Sequence, residues 1–211
     1  MSLPPSNSSS AAHASTRTSA PAAESASPPG AEFSPQERLL LLRLAHESIL
    51  SALEQRAIPL DPPTPHLAEF RGVFTSLHLG GELRGCVGYV FPTCTLYLAV
   101  AETARAAAFD DTRFLPVTEE EAPYLEIELS ILSRAAPIRA EDVEIGRHGL
   151  LISWHGHRGL LLPQVPVEHG WDRETFLAQT CRKAGLPEDA WEKGATIEGF
   201  TAEIFGDKDN G

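Results

Sequence analysis

Large apolar side chains are sparse before position 33 and recur with regular periods after it. Residues 1 to about 32 are mostly Ser, Ala, Pro and Thr, too poor in bulky apolar groups to offset the entropy of ordering, and are expected to form a disordered tail. Residues 33–206 read as one folded domain and 207–211 as a short polar end. Ser34-Pro35-Gln36-Glu37 has the form of a helix start: a capping hydroxyl, a proline at the first helical position and a glutamate that reaches back. Leu39, Leu42, Ala45, His46, Ile49 and Leu53 then recur at helical spacing, so an amphipathic helix is predicted through about Gln55. Pro59, Pro62, Pro63 and Pro65 exclude its continuation.

Val73 to Leu79 is rich in strand formers, Gly80-Gly81 suits a two-residue hairpin turn, and Glu82 to Tyr89 returns antiparallel. If the turn closes there, residues whose numbers sum to 161 lie opposite: Thr75 faces Cys86, Leu77 faces Arg84 and Phe74 faces Val87. Alternation puts Arg84 and Cys86 on one face and Leu83, Val87 and Tyr89 on the other. Apolar residues on both faces predict a hairpin covered on both sides. Gly85 and Gly88 mark places where a bulge, another backbone or a ligand must approach.

Further along, Leu96 to Ala108 predicts a helix, Tyr124 to Ser133 a half-buried strand, and Leu150–Ser153 with Arg158–Leu162 a hairpin. Asp172 caps a helix that turns Phe176, Leu177, Thr180, Cys181 and Ala184 inward, and Thr196 to Phe205 is a final strand. Hairpins interspersed with helices, without a βαβ rhythm, give an α+β class with a largely antiparallel or mixed sheet and several flanking helices.

Composition narrows the function classes. With 17 Lys and Arg against 29 Asp and Glu the formal net charge is −12, which disfavours a phosphate-tracking nucleic-acid surface. No window approaches the roughly 20 apolar residues of a membrane span, and the basic start and apolar stretch of a secretory signal are missing. Three cysteines are too few for a disulfide scaffold, so a reducing cytoplasm is the expected location.

Among chemical candidates, Cys86 comes first: a thiol beside Arg84, with glycines opening the backbone, suits a nucleophile or redox group, while a buried core cysteine is its ordinary alternative. Arg84 and Arg113 form an anion clamp or hold internal acids such as Glu126 or Glu128. His148 beside Gly149 is a candidate general base or a turn histidine. Gln164 sits where Pro163 and Pro166 fix the backbone of a loop, and is a candidate ligand amide or a satisfied loop amide. His78, Cys86, Cys94, His148, His155, His157, His169 and Cys181 supply metal-ligand types without a recognised spacing, and no Gly-rich phosphate loop or Ser elbow occurs, so neither metal nor cofactor is expected.

Leu83-Arg84-Gly85-Cys86-Val87-Gly88 closely resembles the signature of the AMMECR domain family, whose bacterial and archaeal members are called AmmeMemoRadiSam system protein A. Ala107-Ala108-Phe109-Asp110-Asp111-Thr112-Arg113-Phe114, Ile127 to Leu132, Gly146 to Leu150, and Gly159 to Pro166 running on to Gly170-Trp171-Asp172 agree with it. Val87 stands where Ile is common, and Asp-Pro-Arg-Phe reads Asp111-Thr112-Arg113-Phe114. The resemblance implies a compact α+β fold and association with a Memo-like protein and a radical-SAM protein, without a settled reaction. The reading is therefore an enzyme or enzyme accessory in which Cys86, Arg84 and His148 are catalytic candidates and Gly85, Gly88, Arg113 and Gln164 line a small-molecule pocket. A non-catalytic interaction module is the alternative.

Overall fold

The computed structural model describes residue 1 and residues 31–210, so most of the expected disordered tail lies outside the described residues. Phe33 is 1% exposed, and its ring stacks on His66. Ser34 caps helix α1 (Pro35–Leu53): its hydroxyl accepts from the Glu37 N–H while the Glu37 carboxylate accepts from the Ser34 N–H. Leu41, Leu42, Leu44, Ala45, Ser48 and Ile49 form the buried stripe; Leu39, expected within it, is exposed.

The β1 (Val73–Leu79) and β2 (Glu82–Tyr89) strands form the predicted hairpin. Gly80 and Gly81 both take positive φ, +60° and +87°, as a primed two-residue turn requires. Helix α2 (Leu96–Phe109) packs on β1 and β2, and α1 packs on α2 and on β3 (Leu125–Leu132). With β8 (Ala202–Gly206) the first sheet has the order β2-β1-β3-β8, all antiparallel. Val73, Thr75, Leu77, Ile127, Leu129 and Ile131 face the two helices and carry the larger core.

A second sheet, β4-β7-β5-β6, is built from β4 (Ala136–Pro137), β5 (Gly149–Trp154), β6 (His157–Leu161) and β7 (Thr196–Phe200). Its own core, centred on Leu150, Ile152, Phe176 and Leu177, lies under helix α4 (Arg173–Lys183), capped by Asp172 as predicted. The α+β class holds, with the strands divided between two antiparallel sheets. The expected single last strand changes sheet at Thr201, where its N–H donates to the Ser133 hydroxyl and its carbonyl accepts from the Ser133 N–H. A short helix, α3 (Gln164–His169), replaces the expected proline-fixed loop.

The outer face of the first sheet corrects the expectation of a hairpin covered on both sides. Across it run Cys86, Ser76 and Glu128 in one row and Leu83, His78 and Glu126 in another. Cys86 and Ser76 are half-buried and Glu128 is exposed, so this row stays open to solvent.

Candidate functional site

The Arg84 to Gly88 stretch is shaped first by a bulge. Leu79 pairs with Glu82 and His78 with Leu83, but Leu77 then pairs with Gly85, leaving Arg84 as the extra residue. The pairing rule therefore shifts by one beyond the turn: Cys86 faces Ser76 rather than Thr75, and Phe74 faces Gly88 rather than Val87. Both glycines are there for close approach within the chain. A Cβ at Gly85 would lie 2.1 Å from the Ala107 carbonyl oxygen of α2, and one at Gly88 2.2 Å from the Phe74 ring.

β2 is the edge strand, and the segment between α2 and β3 seals that edge with side chains rather than with another strand. The Cys86 N–H donates to Asp111 Oδ2 at 2.9 Å, and Arg113 Nη2 donates to the Cys86 carbonyl at 3.2 Å. Arg113 also holds both Asp111 oxygens, at 2.9 and 2.7 Å. The bulged Arg84 reaches the same segment, donating to the Leu115 and Pro116 carbonyls and to both oxygens of Glu121. The acidic partners are thus Asp111 and Glu121, not the expected Glu126 and Glu128. The arginine's hydrogen bonds pull the Glu121 carboxyl below its ordinary range, helped by the Thr118 N–H.

Asp111 is held well below the usual carboxylate range, chiefly by the Arg113 guanidinium and then by the Cys86 N–H. A depressed folded-state pKa contributes stability above the unfolded value, near 3.9, and loses it as pH falls through the folded value. Replacing Asp111 with Asn should therefore lower the melting temperature by a constant amount above about pH 4, with the gap narrowing in more acid solution. Thermal unfolding of both proteins from pH 2.5 to 7 checks this; a gap that stays constant to the lowest pH removes the carboxylate from the account.

With its backbone fixed on the edge, Cys86 directs its thiol to the open face. At Sγ the Ser76 hydroxyl donates a hydrogen bond at 3.3 Å, and the Arg113 guanidinium also interacts with the thiol. The other two cysteines are placed differently. Cys181 is fully buried in the second core, and burial pushes its thiol pKa up. Cys94 is half-buried, and burial together with Glu102 raises it.

The remaining expected residues are not joined to this edge. His148 belongs to the turn before β5, where its Nδ1 accepts from the Glu144 N–H at 3.0 Å. Gln164 opens α3 with an exposed side chain. Five cavities stand out, and Cys86, Arg84, Arg113, His148 and Gln164 line none of them. Sequence spacing also missed one group of ligand types: Glu32, His66 and Glu69 bring donor atoms within 4.8 Å of one another. Both carboxylates are already paired with the buried Arg71, so this is an ion-pair cluster tying residue 32 to the domain.

A family model for AMMECR1 matches residues 42–205. The chain belongs to the AMMECR1 family. Protein MK0488 of Methanopyrus kandleri is 41% identical over 188 residues, covering 83% of this chain and 91% of that protein. Protein TK0174 of Thermococcus kodakarensis is 43% identical over 180 residues, covering 78% and 87%. The crystal structure of the uncharacterised protein PH0010 from Pyrococcus horikoshii superposes with a TM-score of 0.60 at 41% identity, over 79% of this chain and 89% of that one. The span matched by the family model includes the second sheet, the first sheet up to residue 205 and the whole sealed edge of β2. Among the described residues no helix is long and apolar enough to cross a membrane.

Proposed function

We propose that this AMMECR1 protein is a cytoplasmic enzyme or enzyme accessory whose working group is the Cys86 thiol, acting on a small molecule at the open face of the first sheet. The reading extends to two partners, a Memo-like protein and a radical-SAM protein. One observation carries it. Every other residue of the Arg84 to Gly88 segment has a packing or bonding role within the chain, whereas the Cys86 thiol is half-buried on the open face between the Ser76 hydroxyl and the Arg113 guanidinium and packs into neither core. Arg84 and Arg113 then act as positioning residues, fixing the backbone from which the thiol projects. An iron–sulfur cluster would reside in the radical-SAM partner, because Cys86, Cys94 and Cys181 are one thiolate short of the usual four.

The test is consumption of a metabolite mixture by the full chain, alone and with both partners, comparing wild type with Cys86→Ser. Loss of turnover by about a hundredfold or more at unchanged melting temperature supports the reading. Undiminished turnover by the variant rejects it. The interaction-module reading draws on a different observation, that the arginine donors expected to bind substrate are engaged by Asp111, Glu121 and backbone carbonyls. It predicts partner co-purification that survives Cys86→Ser and no turnover under any condition.

A further inference from the structure

The open face of the first sheet ends in a cleft where the second sheet folds over it. Gly72, Val90 and Leu132, at the ends of β1, β2 and β3, lie on one side; Leu151, Leu160 and Phe200 of the second sheet lie on the other. The cavity is about 230 Å³, below the roughly 300–1,000 Å³ of sites for drug-sized ligands, and so is sized for a single ring. Phe70 and Phe91 stand at it with 58% and 49% of their surface exposed, a costly placement for phenyl rings.

Its charge runs against that of the chain. Arg71, Arg134 and Arg158 line it and no carboxylate does, although the net charge is −12. Arg71 is committed to Glu32, Glu69 and the Leu132 carbonyl, and Arg134 is paired with Glu69. Arg158 is different: its guanidinium lies 4.7 Å from the centroid of the Phe91 ring, and among the described residues it has no hydrogen bond or ion pair. A guanidinium stacked on an exposed ring keeps its edge donors free for an anion, while the ring faces beside it accept a second ring.

We infer that this cleft binds a planar aromatic ring bearing an anionic substituent, with Phe91 and Phe70 taking the ring and Arg158 the negative charge. The site is separate from the proposed thiol chemistry. Val90, one residue past the end of β2, is four residues from Cys86, roughly 13 Å by strand rise, and the Phe74 ring covers Gly88 between them.

The test is an amide NMR titration of the full chain with 4-hydroxybenzoate and with phenyl phosphate, using benzyl alcohol and inorganic phosphate as the ring-only and anion-only controls. Saturable shifts at Gly72, Phe91 and Arg134 with a Kd near 1 mM or tighter are expected from one or both aromatic anions, and weaker binding from both controls. Arg158→Ala and Phe91→Ala, both at exposed positions, should each weaken binding about tenfold with the melting temperature unchanged. Cys86→Ser should leave the affinity as it is, so failure here and failure of the thiol reading are distinguishable. Absence of saturable shifts up to about 10 mM, equal binding of benzyl alcohol, or full affinity in Arg158→Ala would overturn the assignment.

Discussion

Replacing Gly85 with Ala should destabilise the protein by about 3 kcal/mol or more, the upper end for overpacking a closely fitted contact. At this chain length the melting temperature would fall by roughly 6–12 °C. The added methyl would meet the Ala107 carbonyl at 2.1 Å; the methyl is fixed to the β2 backbone and the carbonyl belongs to the α2 backbone, so relief requires α2 to lift from β2. Ala at Gly80 is the internal control. Nothing lies within 4 Å there, and the substitution carries only the left-handed penalty of φ +60°, about 1 kcal/mol. Equal melting temperatures for the two variants would mean that α2 does not rest on the hairpin as described.

Arg84→Ala is the second large effect, a loss of about 2 kcal/mol. The side chain is 15% exposed and holds Glu121 together with two carbonyls of the edge-sealing segment, so its removal leaves several acceptors unmatched at once. Glu121 is 27% exposed, and solvent screening keeps the cost below that of a fully buried pair. Because the arginine depresses the Glu121 pKa, the stability it supplies is present above about pH 4 and lost as pH falls through the folded value. Denaturant melts of Arg84→Ala, Glu121→Ala and the double variant should show coupling of about 1 kcal/mol at pH 7. Zero coupling would return Arg84 to the pool of free, ligand-binding arginines.

Features set by neighbouring residues were readable in the sequence. The capping box at Ser34 and Glu37, the Gly80-Gly81 turn and the Asp172 cap depend on a few adjacent side chains, and each forms as expected. The bulge at Arg84 left no such mark, since one inserted residue alters pairing without altering composition, and it moved the expected partners of Cys86 and Val87 by one place. The division of the last strand was hidden because Thr201 continues the extended backbone from one sheet into the other. Helix α3 was concealed by Pro163 and Pro166, which fall before and within its first turn, where a missing N–H costs nothing. At the candidate site, the importance of Arg84, Gly85, Cys86, Gly88 and Arg113 was legible as a motif. Their division of labour was not, because Asp111 and Glu121 become partners only when the connecting segment folds back along the edge of β2.

The account rests on Cys86 being the thiol that the fold presents. Alkylation of the native full-length chain with iodoacetamide at pH 7, followed by peptide mapping over time, measures this directly. Cys86 should be modified first, by about tenfold over Cys94, whose thiolate is disfavoured by burial and Glu102; Cys181 should react only after unfolding. Modification of Cys94 ahead of Cys86, or a Cys86 that reacts only in denaturant, would contradict it.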